Sequence, residues 1–173
     1  MNLLRILVII LFFQFKAYAL IEVDITRGNL NPLPIAVSPL SVDKDSLVEF
    51  KKILKKKDLG SEISIVVENN LKLTGLFNPL EKDAFLQKPE IAHLKPRFED
   101  WSLIKAQALI TGKVQIVEGK LRVEFRLWDV LAAKEMLALA FTTVPTNWRR
   151  VGHIITDKVY ERLTGEKVIL IQE

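Results

Sequence analysis

Residues 120–129 read KLRVEFRLWD, and the alternation inside that stretch sets the architecture. Leu121, Val123, Phe125 and Leu127 share one side of an extended chain, while Arg122, Glu124 and Arg126 share the other. A strand with one apolar and one charged side has one face covered and one face wet, which is the antiparallel habit. Its flanks carry the same length of strand-like sequence, 108–117 before it and 134–143 after it, joined by Glu118-Gly119 and by a short turn over Val130–Ala133. Three strands in succession with connections this short form an antiparallel meander.

The covered face needs a partner layer, and the sequence supplies helices. Beyond the meander a helix begins near Asn147 and carries Val151, Ile154, Ile155, Val159 and Leu163 toward the core. Upstream, DKDSLVEFKKILKKKD (43–58) places Leu47, Phe50, Ile53 and Leu54 on one helical face and lysines on the others. A second helix can start at Ser61-Glu62, with Ile63, Val66, Val67, Asn70 and Leu71 in its path. Its β-branched content also permits a strand, but Gly75 stands where a helix-ending glycine belongs. Leu76–Pro79 is extended, an irregular Pro-containing connection runs to about Phe98, and a short helix follows around Trp101-Ser102-Leu103. The expected class is α/β (α+β): a two-layer sandwich, a mixed sheet with helices on one face, ending in the three-stranded meander and a final helix.

The two ends fall outside this unit. Arg5, the apolar run Ile6–Phe15 and Ala17-Tyr18-Ala19 have the three parts of a secretory signal, with cleavage expected after Ala19. An uncleaved anchor is the alternative, and Lys16 beside the cleavage site is what favours it. Residues 1–19 carry Arg5 and Lys16 and no acid, so their removal lowers the formal charge from +4 to +2. Half of the basic excess therefore belongs to export, and so small a net charge points to no nucleic-acid partner. The lysines of 51–57 read as the solvated face of a helix, with no aromatic residue among them for base stacking. There are no cysteines, hence no disulfide framework, thiol nucleophile, Cys-type zinc site or lipid-bearing cysteine near Ala19. The expected compartment is the periplasm, with no stable membrane insertion once the signal is cut.

After the signal, Ile21, Val23 and Ile25 alternate with Glu22, Asp24 and Thr26 up to Arg27-Gly28-Asn29. Pro32 and Pro34 separate this segment from a strand at Ile35–Val37. It is either a detachable extended arm over residues 20–31 or an ordinary edge strand. The domain proper spans 32–167. At the other end, Val168–Ile171 is a strand-like apolar run after the helix-ending Gly165. Residues 168–173 are expected to be an aberrant tail, the product of a one-base frameshift; pairing with the edge of the domain's own sheet is the alternative.

No catalytic constellation emerges. The only histidines are His93 in an irregular loop and His153, which has Asp157 four residues on and so on the same helical face. Two such ligands begin a metal site but do not complete one. Gly-rich phosphate loops, Gly-x-Ser-x-Gly elbows and His-Glu-x-x-His pairs are missing. Glu99 and Asp100 are adjacent and diverge on a helix. No cofactor is expected.

Five stretches, PIAVSPL, LKLTGLFNPL, WSLIKAQALITGKV, LRVEFRLWD and WRRVGHIITDKVYERLTGEK, occur in an order that resembles the amino-terminal part of the TolB family. That resemblance covers the chain from the end of the signal to Lys167. It implies a two-layer α/β domain in a non-enzymatic periplasmic component of the Tol–Pal envelope system, which supports outer-membrane integrity, constriction at division and protein import. It also implies a following six-bladed propeller, which would carry the contact with the lipoprotein Pal, so that Pal binding is expected to be lost here. The mature amino terminus would dock on the carboxy-terminal domain of TolA, and the matching residues are Leu20, Ile21, Glu22, Val23, Asp24, Ile25, Thr26 and Arg27. A strand ahead of a proline hinge can add to another protein's sheet edge. The competing readings are a small periplasmic metal-dependent protein or enzyme using His153, and a nucleic-acid binder built on Lys51–Lys57.

Overall fold

In a computed structural model, residues 31–55 and 58–167 are described. The signal segment with Ala19, the arm residues Leu20–Arg27, Lys56 and Lys57 of the lysine run, and the tail 168–173 lie outside the described residues. The chain forms β1 (Leu33–Val37), β2 (Ser41–Val42), α1 (Lys44–Leu54), α2 (Leu59–Leu73) and β3 (Phe77–Pro79). It continues with α3 (Pro89–Ala92), α4 (Phe98–Leu103), β4 (Ala108–Val117), β5 (Lys120–Asp129), β6 (Lys134–Thr143) and α5 (Trp148–Thr164). One mixed sheet runs in the order β3-β1-β4-β5-β6, with β2 also beside β4. The β1, β2 and β3 pairings are parallel, and β4-β5-β6 is the antiparallel meander, at the boundaries its alternation indicates.

Residues 61–73 are helical despite their β-branched content, because the ends are specified. Asp58 accepts the backbone N–H of Ser61 at 3.0 Å and its hydroxyl at 2.6 Å, satisfying a donor that a helix start leaves open. Thr74 and then Gly75, at φ +73°, close the other end. Leu76–Pro79 becomes more than an extended piece: Phe77–Pro79 is the parallel edge strand against Leu33–Ile35. Pro79 is tolerated there because an edge strand can lack a ladder donor.

The three long helices cover one face, as the patterning indicates. Phe50, Ile63, Val67, Ile155, Val159 and Leu163 pack with Ile35, Val37, Ile110, Val123 and Phe125 in a single core. Ile53 does not join them and is 48% exposed, and Ile154 is half-buried. Helix α1 touches the domain mainly through Phe50 and Ser46, whose hydroxyl accepts the N–H of Ile116 at 2.9 Å.

The opposite face holds a smaller layer. Ala36, Leu109 and Trp128 point away from the helices and meet Ala92, Trp101 and Ala106. Chain handedness explains why this layer exists. The connection from β1 to β3 runs through α1 and α2 on the main face; the next one steps back across β1 to β4. Parallel crossovers keep one hand, so a step in the reverse direction has to use the other face. Residues 80–106 are therefore committed to it.

The start of α1 gives a quantitative check. Asp43 Oδ1 accepts the N–H of Ser46 at 2.9 Å, and Oδ2 accepts from Gln115 at 3.3 Å. Burial pushes the Asp43 carboxyl up, but the Ser46 and Gln115 hydrogen bonds and the Lys113 charge outweigh it and hold the group below its ordinary value. Its stabilisation is thus present above the unfolded carboxylate range and lost as pH falls through the lower folded value. Asp43→Ala is expected to cost about 1 kcal/mol at neutral pH, and the difference from the parent in urea unfolding should shrink toward pH 3.

Candidate functional site

The arm residues themselves are outside the described part, but their mount is well defined. The chain enters the sheet at β1, an interior strand. Leu33 donates to the carbonyl of Leu76 at 2.9 Å, and the carbonyl of Pro34 accepts from Gln107 at 3.0 Å. With β3 on one side and β4 on the other, the first described turns of backbone are pinned from both directions. Pro32 and Pro34 restrict φ on either side of Leu33, so the mount is a stiff post at one end of the sheet.

The histidine reading resolves differently. Helices α2 and α5 approach closely because Gly152 has no side chain; a Cβ there would lie 2.8 Å from Val66 Cγ1. Beside that crossing, Asn70 Nδ2 is 2.8 Å from His153 Nδ1 and 3.4 Å from Thr156 Oγ1. The amide and the ring nitrogen are within hydrogen-bonding distance across the two helices. His153 thus joins two helices, and among the described residues no group of three or more His, Cys, Asp or Glu is placed to hold a metal ion. His93 lies far along the chain in the smaller layer, with its Nδ1 3.3 Å from the carbonyl of Pro89.

Among the described residues, two concavities stand out. An acidic one between α1 and the β4–β5 turn is lined by Asp43, Asp45, Glu49 and Glu118. A mainly apolar one of about 520 Å³ lies between α4 and the β5–β6 turn, lined by Phe98, Leu103, Val130 and Leu131 together with the polar Glu99 and Ser102. Sequence reasoning missed the second, whose only trace was an aliphatic residue, Leu131, at the tip of a turn. No helix among the described residues is long and apolar enough to cross a membrane.

The family model of the TolB amino-terminal domain matches residues 21–136. The chain belongs to that family. It is 78% identical over 166 residues to the Tol-Pal system protein TolB of Pelagibacter ubique (strain HTCC1062), covering 95% of this chain and 37% of that protein. The chain therefore spans little more than a third of the relative's length. The crystal structure of TolB from Acinetobacter baumannii shares the fold, with a TM-score of 0.59 at 22% identity, over 80% of this chain and 30% of that one.

The TolB-like stretches acquire physical reasons in this fold. In PIAVSPL, Ile35 and Val37 enter the main core while Ala36 faces Trp101's layer. Phe77 of LTGLFNPL meets Tyr160 of the last helix edge-on, with centroids 6.2 Å apart at 74°. Segments more than eighty residues apart thus share one contact, worth about 1 kcal/mol beyond the area it buries.

Proposed function

We propose that this chain is a periplasmic protein-interaction module of the Tol-Pal system, contacting the carboxy-terminal domain of TolA through Leu20–Arg27. Membership of the TolB amino-terminal domain family carries this reading. The described mount supports it: the strand that follows the arm is paired on both sides, so a partner bound by the arm would not have to displace any strand of the core. Alternating Ile21, Val23 and Ile25 suit strand addition to an exposed sheet edge, with main-chain hydrogen bonds giving affinity. The module acts in the envelope functions of outer-membrane integrity, constriction at division and import, with export by the signal segment cleaved after Ala19. It catalyses nothing, binds no nucleic acid and requires no cofactor. Pal contacts belong to the part of longer TolB proteins that this chain does not match.

Deleting residues 20–27 is expected to abolish TolA capture while leaving the unfolding transition of the domain unchanged. Each of the three apolar side chains contributes at most about 1.5–3 kcal/mol if fully buried in the complex. A deleted chain that still retains TolA in a pull-down would overturn the assignment.

A further inference from the structure

We propose that the outer edge of β6 is a self-association surface, on which a second copy of this chain pairs antiparallel about a two-fold axis at Leu139. This inference does not depend on the proposed function. The two edges of the sheet differ. Strand β3 is three residues long, contains Pro79 and buries Phe77 to 2% exposure, which are ordinary ways of closing an edge. Strand β6 is ten residues long, and among the described residues no strand pairs with its outer side. Its stretch Leu137–Thr143 contains no proline and no charge. Leu137, Leu139 and Phe141 pack on the main core yet stay half-buried, and Phe141 stacks on Phe125 with centroids 6.0 Å apart at 12°. The core is closed at β3 and open at β6.

The register follows from what flanks that stretch. Arg162 of α5 donates to the carbonyl of Met136 at 3.1 Å, and the ladder with β5 shifts between Leu127 and Trp128, so the open part begins at Leu137. A copy turned about Leu139 sets Leu137 opposite the other chain's Phe141, and Ala138 opposite its Ala140. The aliphatic–aromatic pairs cover the half-buried row on the helix side. On the other side the neighbours on β5 decide. Arg126 stands beside Ala138 and Glu124 beside Ala140, so this register lines up Arg126 of each copy with Glu124 of the other across two alanines. Strand spacing puts those backbones about 14 Å apart, and the long side chains reach toward each other over the alanine floor. Moving the axis to Ala140 would instead set Glu124 against Glu124 and Arg126 against Arg122. Charge complementarity thus selects a second copy in one register. The joined sheet then ends in two copies of β3, so association stops at the pair. A ladder this short buries less than a standard interface, which makes the pairing weak and dependent on concentration.

The sequence has no cysteine, so the edge can be probed by disulfide formation between full chains. Ala138 and Ala140 are both exposed, and replacing them leaves the core intact. Opposite side chains on paired strands lie about 5 Å apart and diagonal ones about 7–8 Å, too far to bridge without backbone movement. Oxidising an equimolar mixture of Ala138→Cys and Ala140→Cys chains should therefore give the mixed dimer at least tenfold faster than either variant alone gives its own. Glu124→Lys in the Ala140→Cys chain should slow that reaction severalfold at low salt, and Arg126→Glu in the Ala138→Cys chain should restore it. Equal rates in the mixture and the single variants would overturn the proposal and leave the edge to another segment or another protein. So would faster self-crosslinking of Ala140→Cys, which moves the axis, or failure of the second charge change to restore the rate.

Discussion

Trp101→Ala is expected to destabilise the domain by about 3–5 kcal/mol, the range for removing a fully buried large aromatic. Trp101 is 1% exposed and is the largest fully buried side chain of the smaller layer. Its indole N–H donates to Gln87 Oε1 at 3.0 Å, and its ring meets Phe85 edge-on at 5.1 Å. Gln87, itself buried, also accepts from the N–H of Arg97 and donates to the carbonyl of Lys95. One side chain thus folds the loop 87–97 around itself, and Trp101 holds that side chain against the sheet. The alanine variant loses the packing and one donor to a buried acceptor, which adds to the cavity cost. Trp101→Phe keeps most of the ring area but not the donor, and should lose less. Urea unfolding gives the total. Hydrogen exchange separates the layers: amides of 87–103 should lose protection well before those of α2. Equal loss in both would mean that the smaller layer has no independent role.

That layer is also where the sequence was least legible. The meander could be read to the residue because period-2 alternation persists over ten positions and the turns contain what turns require. Residues 80–106 have no such period: their buried positions, Gln87, Ala92, Pro96, Trp101 and Ala106, are irregularly spaced and include an amide. Only the order of strands, with its handedness, assigns this segment to the second face, and strand order is not written locally. Ile53 was misplaced for a related reason. A helix that packs at a single turn need not bury the whole of its apolar stripe, and α1 rests on Phe50 and a serine. The arm expected from Ile21, Val23 and Ile25 lies outside the described residues, and its partner came from resemblance. The apolar cavity was not readable, being assembled from a helix end and a hairpin turn almost thirty residues apart.

Gly60→Ala tests the contact that ties the arm's post to the helical layer. On helix propensity alone the change should stabilise, by about 1 kcal/mol. Packing reverses that sign. A Cβ at Gly60 would stand 2.9 Å from the carbonyl carbon of Leu40 and from Val42 Cγ2, and closer still to the Leu40 oxygen. The obstacle is main chain, which no rotamer change can clear. The first turn of α2 would have to lift from the Ser38-Pro39-Leu40 bend between β1 and β2. The buried hydroxyl of Ser64 crosses that same gap, accepting from the N–H of Leu40 at 3.1 Å and sharing its one proton between the carbonyls of Gly60 at 2.9 Å and Ser38 at 3.0 Å; the Leu40 N–H has only the longer 3.4 Å contact to the Gly60 carbonyl besides. Overpacking costs about 1–3 kcal/mol or more, and stranding the buried N–H of Leu40 costs a further 1–3 or so. The net expectation is a loss of about 3 kcal/mol, despite the propensity gain. Ser64→Ala alone should cost about 1–3 kcal/mol. Because both changes act through one gap, the double variant should lose less than the sum of the two. Thermal unfolding of the four proteins decides it: a Gly60→Ala variant as stable as the parent would mean that helix and bend do not meet as closely as this, and strict additivity would mean that Gly60 and Ser64 do not share the contact.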